Sequence, residues 1–176
     1  MEESQLLLKK HGRNSLCNWA AEHGRLDVLR WAREQGCPWN EWTCTYAARH
    51  GHLHTLQWLI EHGCPSNETT CAYAAENGHL NILQWARKHG CPWDERTCIY
   101  AVYGGHLHVL QWALENGCSN NIKVVFSNCH FTSASKLLHR NTFENGDDVD
   151  RWIKIVDGSC NTLTYNDLSK LIKSFI

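Results

Sequence analysis

Cysteine and histidine are the residues of this sequence that could do the most chemistry. The chain of 176 residues contains ten cysteines and twelve histidines. Thiolate and imidazole groups bind zinc when four of them converge, usually as pairs about two to four residues apart. Cys37 and Cys44 are separated by six residues, and no two cysteines stand closer. This spacing argues against a zinc site. A structural zinc-binding module is nevertheless kept as an alternative function.

Alternating histidines offer a second possible metal site. His50, His52 and His54 occur in "HGHLH", and His106 and His108 in "GHLHVL". Histidines in this pattern could hold a metal that keeps open positions for chemistry. No cysteine or carboxylate accompanies them at a spacing typical of a shared ion. We therefore expect neither a metal nor any other cofactor.

Nucleophilic catalysis has little support in the sequence. Cys129 and His130 are adjacent, but a thiolate nucleophile needs its base across a cleft in space, and adjacency in the chain does not supply that geometry. Glycine-rich phosphate loops, G-x-S-x-G and H-E-x-x-H are all missing. The sequence predicts a protein that is not an enzyme.

The charge balance limits the class of partner. The formal net charge is −1 and the pI is about 6.8, so there is no general attraction to nucleic acid or to a membrane surface. The start "MEESQLLLKKHG" lacks the pattern of a signal peptide, and no apolar run of about 18 residues occurs. We expect a cytoplasmic protein in a reducing compartment, with no nucleic-acid or membrane partner.

Most of the cysteines belong to an internal repeat with a period of 27 residues. The repeat places glycine, leucine, tryptophan and cysteine in fixed columns, which are Gly24, Gly51, Gly78, Gly105; Leu29, Leu56, Leu83, Leu110; Trp31, Trp58, Trp85, Trp112; Cys17, Cys44, Cys71, Cys98; and Cys37, Cys64, Cys91, Cys118. Stacked helices lie roughly 8–10 Å apart, beyond the roughly 7 Å limit for a disulfide between column neighbours. The sequence therefore predicts buried, structural cysteines, while a bridge within one unit stays open.

Each unit has the pattern of two short helices. Asn40 is a good N-cap, and Glu41 follows it in the first turn, where an acidic side chain suits the helix dipole. This helix is predicted to run to about residue 50, where Gly51 allows a left-handed turn. Apolar residues at helical spacing then continue to Gly63. The equivalent caps in the next two units are Asn67 and Asp94.

Neither helix of a pair could bury its apolar face alone, whereas stacked units can. The sequence thus predicts an all-α solenoid of stacked helix-turn-helix pairs. Residues 1–12 are predicted to be an N-terminal half-repeat cap and residues 13–118 four 27-residue repeats. Residues 119–176 are predicted to be degenerate repeats or a C-terminal cap, with a separate small helical module as the alternative.

The segments "YAARHGHLHTLQWLIEHGC" and "YAAENGHLNILQWARKHGC" resemble the helical part of an ankyrin repeat. An ankyrin unit of about 33 residues would need about six more residues in each connection. The T-P-L-H start is also missing, so the β-hairpin finger of the family is not implied. The shortened units, rich in Trp and Cys, are similar to repeats of large DNA viruses of amoebae and of some protists. That similarity implies a lineage, and a host-cell location if the lineage is viral.

The resemblance implies a non-enzymatic protein-protein interaction scaffold that binds along a concave surface lined by the first helix of each pair. Comparison between units separates constant framework positions from variable ones. We expect a monomer whose protein partner, of unknown identity, contacts the variable or exposed residues Trp39, Trp42, Arg49, Glu76, Trp93 and Tyr103. A packing role is the alternative for Trp39 and Trp93. An adaptor activity in residues 119–176 is a further alternative.

Overall fold

The computed structural model describes residues 2–118, apart from the side chain of Leu107, and its regular elements over that range are nine α-helices with no strand. They are α1 Glu2–His11, α2 Leu16–Glu22, α3 Leu26–Glu34, α4 Glu41–Arg49, α5 Leu53–Glu61, α6 Glu68–Glu76, α7 Leu80–Lys88, α8 Glu95–Gly104 and α9 Leu107–Glu115. After α1, the helices alternate between a first and a second helix of each 27-residue unit. The predicted helix pairs are therefore confirmed.

The first helix of each of the last three units begins at the predicted cap. The side-chain oxygen of Asn40 accepts a hydrogen bond from the backbone N of Trp42 at 3.1 Å. The same contact is made by Asn67 at 3.1 Å and by Asp94 at 3.0 Å in the following units. These bonds satisfy backbone donors that have no partner within the helix, and they fix where it starts.

Glycine closes both helices of a unit. Gly51 has φ +82°, and His52 N beyond it donates to Ala47 O at 2.9 Å, so the chain reverses into α5. Gly63 has φ +80°, and Cys64 N donates to Leu59 O at 2.9 Å. This pairing of a left-handed residue with a bond back into the last turn is the Schellman end of a helix. Both turns were predicted from the glycine positions.

The first helices α2, α4, α6 and α8 pack side by side in chain order, and the second helices α3, α5, α7 and α9 form an outer layer. The core lies between the layers and between neighbouring units. Ala74 and Ala75 show how adjacent small residues serve both neighbours: Ala74 packs with the buried residues of the first two units, and Ala75 with those of the fourth. Their small side chains allow α6 to approach both adjacent helices.

The repeat cysteines are part of this core. Their exposed fractions lie between 0% and 5%, and all eight are free thiols. The Sγ of Cys17 donates weakly to the carbonyl of Cys37 at 3.8 Å, and Cys44 Sγ to that of Cys64 at 3.9 Å. Burial raises the pKa of Cys17 to about 11 and that of Cys71 to about 12. The predicted structural role of the cysteines is confirmed.

The N-terminal helix α1 packs against α2 and α3. Arg25, just before α3, is 3.0 Å from Glu3 of α1 and 2.9 Å from Asp27 of α3. Leu7 and Leu8 of α1 pack on the core of the first two units. The helices after α1 repeat one arrangement, so the all-α solenoid of helix pairs is the observed fold.

Candidate protein-binding surface

The outward face of the first helices forms one continuous strip, which we call the inner-helix face. It consists of side chains at positions i, i+4 and i+7 of successive first helices, all half-buried or exposed beside buried neighbours. Its members are Trp19, Glu22, Trp42, Tyr46, Arg49, Thr69, Tyr73, Glu76, Arg96, Tyr100 and Tyr103. The strip exists because the helices stack in register, so residues 27 apart become neighbours.

Aromatic side chains run along the centre of this face. The rings of Tyr73 and Tyr100 meet edge to face with centroids 5.4 Å apart, and those of Tyr100 and Tyr103 lie 6.4 Å apart. Trp42 is 6.3 Å from Tyr46. Edge-to-face contacts at these distances are favourable beyond the area that they bury. Sequence reasoning missed this ladder, although an aromatic recurs at 27-residue spacing as Trp19, Tyr46, Tyr73 and Tyr100.

Charged groups flank the aromatic ladder and are unevenly paired. The guanidinium of Arg96 lies 2.7 Å from Asp94 and 3.6 Å from Glu68. The guanidinium carbon of Arg49 lies 5.2 Å from the ring centroid of Tyr73, a cation–π contact. The Oε2 atom of Glu76 is buried and accepts no hydrogen bond from the residues described. The face therefore contains one carboxylate oxygen without a donor, that of Glu76. It also contains a group of paired charges, Arg96 with Asp94 and Glu68.

Two large apolar side chains of this face remain in water. Trp42 is 42% exposed and Tyr103 is 39% exposed, and the third exposed large hydrophobic of residues 2–118 is Leu6 of the N-terminal helix. Arg49 is exposed and Glu76 half-buried on the same face. Four of the six predicted contact residues, Trp42, Arg49, Glu76 and Tyr103, are thus brought together on one surface.

Trp39 and Trp93 lie elsewhere, in the connections between units. The Trp39 ring lies 5.9 Å from that of Trp58, and the Arg33 guanidinium carbon is 3.9 Å from its centroid. Trp93 repeats the arrangement with Trp112 at 5.9 Å and Arg87 at 4.1 Å. Each tryptophan is therefore held between the second helices of two units. An Arg six residues before each Trp was the signal for this pairing in the sequence.

The histidines after the glycine turns link one unit to the unit before it. The Nε2 of His52 donates to Glu22 O at 3.0 Å, and His79 Nε2 donates to Arg49 O at 3.1 Å. Both acceptors lie in the last turn of the preceding first helix. Burial lowers the pKa of His79, which favours the neutral ring that makes this bond. The histidines of this column therefore hold neighbouring units together.

The remaining candidate sites do not assemble in the described part of the chain. No group of three or more His, Cys, Asp or Glu side chains within residues 2–118 is arranged to hold a metal ion. His54 is exposed and bonds Gln57 at 3.2 Å. No helix over the same range is long and apolar enough to cross a membrane. Cys129, His130 and the predicted C-terminal segment 119–176 lie outside the described residues.

Comparison with protein families supports the repeat assignment. The family described as ankyrin repeats (many copies) matches residues 17–60, and ankyrin repeats (3 copies) matches residues 44–124. No curated protein matches the chain. The two matched segments overlap and run through the stacked helix pairs described above. Residues 17–124 of this chain therefore belong to the ankyrin-repeat family.

Proposed function

We propose that this protein is a non-enzymatic scaffold that binds another protein along the inner-helix face. Ankyrin repeats are in general protein-protein interaction modules, which supports this class of function. The partner contacts that we propose on this face are Trp42, Arg49, Glu76 and Tyr103. Trp39 and Trp93 stay predictions as partner contacts, because their packing between units supplies a second reason for their presence.

The observation that carries the proposal is the exposure of Trp42 and Tyr103 on a face where two of the three columns vary between units. The framework columns keep the same residue type in every unit, whereas one column of this face contains Glu22, Arg49, Glu76 and Tyr103. Folding alone gives no reason to leave a tryptophan 42% exposed. Large aromatics exposed at a surface are the residues that most often anchor protein partners.

The stacked helices explain how such a face would bind. Each first helix is held by its neighbours, so the side chains of the face are ordered before a partner arrives. Binding then loses little conformational entropy on the side of the scaffold. Aromatic rings would supply apolar contact area, and Arg49 and Glu76 would fix the register through charge.

We further propose a cytoplasmic, monomeric protein that binds no nucleic acid. The units of 27 residues, rich in Trp and Cys, are the basis for proposing a lineage shared with repeats of large DNA viruses of amoebae and of some protists, and with it a host-cell location. The identity of the partner is not part of the proposal.

Affinity capture from a cell lysate, followed by binding measurements with the purified partner, tests the function. Replacing Trp42, Arg49 and Tyr103 together by Ala should weaken binding at least about a hundredfold, because anchors of this kind contribute about 2 kcal/mol or more each. The matched control replaces three exposed side chains of the outer layer, Glu34, Gln84 and Lys88, by Ala. It should bind as the wild type does.

Truncation after Cys118 separates this proposal from the adaptor alternative. The truncated chain should keep its affinity if the repeats carry the binding site. Equal affinity of the wild type and the triple variant would contradict the proposal. Loss of capture on truncation alone would assign the function to residues 119–176.

A further inference from the structure

Glu76 lies in a setting that none of the other charged residues of the inner-helix face shares. Tyr73 precedes it by three residues on α6, and Tyr100 and Tyr103 occupy the equivalent two positions of α8. We call these four residues the Glu76 site. Their rings form a connected group with centroid distances of 5.4 Å and 6.4 Å. Burial and nearby negative charge, including that of Glu76, raise the pKa of Tyr100.

Gly104 lies where the two helices that carry these tyrosines come close together. A Cβ atom at Gly104 would overlap the main-chain oxygen of Glu76, so the glycine allows α8 to approach α6 closely. The equivalent positions in earlier units are His23, His50 and Asn77. At this close approach the ring of Tyr100 meets that of Tyr73 edge to face, with Glu76 three residues after Tyr73 on the same helix.

The carboxylate of Glu76 needs a donor that residues 2–118 do not provide. Its Oε2 atom is buried without a hydrogen bond, and no cationic side chain of that range forms an ion pair with it. A buried carboxylate oxygen without a partner is unfavourable. The residue as a whole is half-exposed, and its terminal torsion is soft. The carboxylate group as a whole can therefore accept a hydrogen bond from a cation that arrives from the solvent.

Aromatic rings around a carboxylate favour a planar cation. A guanidinium group stacks on tyrosine while it donates in-plane hydrogen bonds to a carboxylate, whereas an ammonium group is a more strongly hydrated point charge. The chain contains one such contact already, between Arg49 and Tyr73 at 5.2 Å. Arg49 forms no ion pair with the Glu76 carboxylate, so it does not already supply a guanidinium there.

We propose that the Glu76 site binds an arginine side chain of the protein partner. The guanidinium would lie against the rings of Tyr100 and Tyr103 and donate to the carboxylate of Glu76. This inference rests on the proposed function for the source of the arginine, but the site itself can be tested without a partner.

The probe is acetyl-arginine amide, titrated into the full-length chain labelled with fluorotyrosine and followed by fluorine NMR. The chain has five tyrosines, and Tyr→Phe variants assign their signals. The signals of Tyr73, Tyr100 and Tyr103 should shift with a millimolar dissociation constant. Tyr46 is the internal control, because Arg49 and not a carboxylate follows it by three residues. Acetyl-citrulline amide, which has the same shape without the charge, should cause no shift.

The Glu76→Gln variant should bind the arginine probe about tenfold more weakly or worse, since a hydrogen bond to a charged group contributes on that order. The control Glu22→Gln changes the equivalent residue of the first unit and should leave the titration unchanged. Equal binding of acetyl-lysine amide, or the absence of saturable shifts at Tyr100 and Tyr103, would overturn the inference.

The two proposals fail separately. If the arginine probe binds as expected but the partner binds the wild type and the inner-helix triple variant equally well, only the proposed function is contradicted. Partner binding that is lost in the triple variant but insensitive to Glu76→Gln would contradict only the arginine site.

Discussion

Identical residues in one column of the repeat can have different hydrogen bonds. Thr43, Thr70 and Thr97 are each fully buried. The hydroxyl of Thr43 donates to Asn18 Oδ1 at 2.6 Å, and that of Thr70 lies 3.4 Å from Thr45 Oγ1. The residue that corresponds to Asn18 and Thr45 in the next unit is Ala72, which has no polar atom in its side chain. The Thr97 hydroxyl has no partner among the described residues as a result.

Thr97→Val should therefore stabilise the protein. Valine has nearly the same shape and removes a buried, unsatisfied hydroxyl, so we expect a gain of about 1 kcal/mol in the free energy of unfolding. Thr43→Val is the matched control, and it should cost about 1 kcal/mol because it breaks satisfied hydrogen bonds. Urea denaturation measures both changes. A loss of stability in Thr97→Val would show that its hydroxyl has a partner after all.

The repeat cysteines should not react while the protein is folded. All eight are at most 5% exposed, so a reagent cannot reach them, and burial also raises the pKa of the Cys17 and Cys71 thiols to about 11 and about 12. Iodoacetamide at neutral pH should modify at most Cys129 and Cys160, which lie outside the described residues. All ten cysteines should react in denaturant. Mass spectrometry counts the adducts, and fast labelling of any of the eight repeat cysteines would refute the prediction.

Among single residues, the sequence predicted those whose contacts lie within a few residues along the chain. The caps Asn40 and Asp94 act on the backbone two residues ahead, so their role can be inferred from a short segment. The Tyr73–Tyr100 contact could not be inferred in the same way, because it depends on how far α8 lies from α6. That distance is set by Gly104, whose helical position gives no sign of a close neighbour.

Turns that have the same backbone conformation can differ in what surrounds them. Gly51 and Gly63 have φ of +82° and +80°, so any other residue would be strained at either position. A Cβ atom at Gly51 would come within 2.9 Å of the His79 ring, whereas nothing lies within 4 Å of the position at Gly63. The first turn of a unit is therefore also a contact with the next unit.

Gly63→Ala should cost about 1–2 kcal/mol of stability, the penalty for an L-residue in the left-handed region. Gly51→Ala should cost at least about 1 kcal/mol more, because His79 must move and lose its bond to Arg49 O. Thermal and urea denaturation of the pair measures the difference. Equal losses in the two variants would show that the histidine ring adapts without cost.

The tryptophans of the connections should act on stability more than on binding. Trp93→Ala removes contacts with Trp112 and Arg87, and we expect a loss of about 2 kcal/mol for this half-buried ring. The exposed Trp42 is the counterpart, and its replacement by Ala should cost less than about 0.5 kcal/mol but weaken partner binding. Weaker binding of a stably folded Trp93→Ala variant would instead support the predicted partner contact.

The period of the sequence predicted the elements well because helix signals lie within a few residues of each other. Gly51 and Gly63 marked two helix ends, and Asn40 marked a start. The packing of Trp39 could not be predicted in full from its neighbours in the chain, since its ring also meets that of Trp58 in the following helix pair. The residues that contact a partner are the hardest to predict from the sequence. An exposed side chain has no neighbour within the chain that determines its type.

Acid should lower the stability of the folded protein through His79. Burial lowers the pKa of His79 below its ordinary value of 6.5, with His50 and His52 nearby adding to the effect. The unfolded chain then binds more protons than the folded chain just below pH 6.5, so stability is fully present above that pH and falls as the pH drops toward the folded pKa. His79→Gln should flatten this fall, and the exposed control Gln84→Ala should keep it. Urea midpoints between neutral and acidic pH measure the slope, and an unchanged slope in His79→Gln would contradict the assignment.

The links made by His52 and His79 point one way along the chain, always to the carbonyl of the unit already behind them. A ribosome releases the chain in that same direction, so each new unit emerges with a donor for a surface that has already folded. Each of these histidine bonds can therefore form without waiting for residues still to be translated. The repeat units would thus be able to pack in the order in which they are translated.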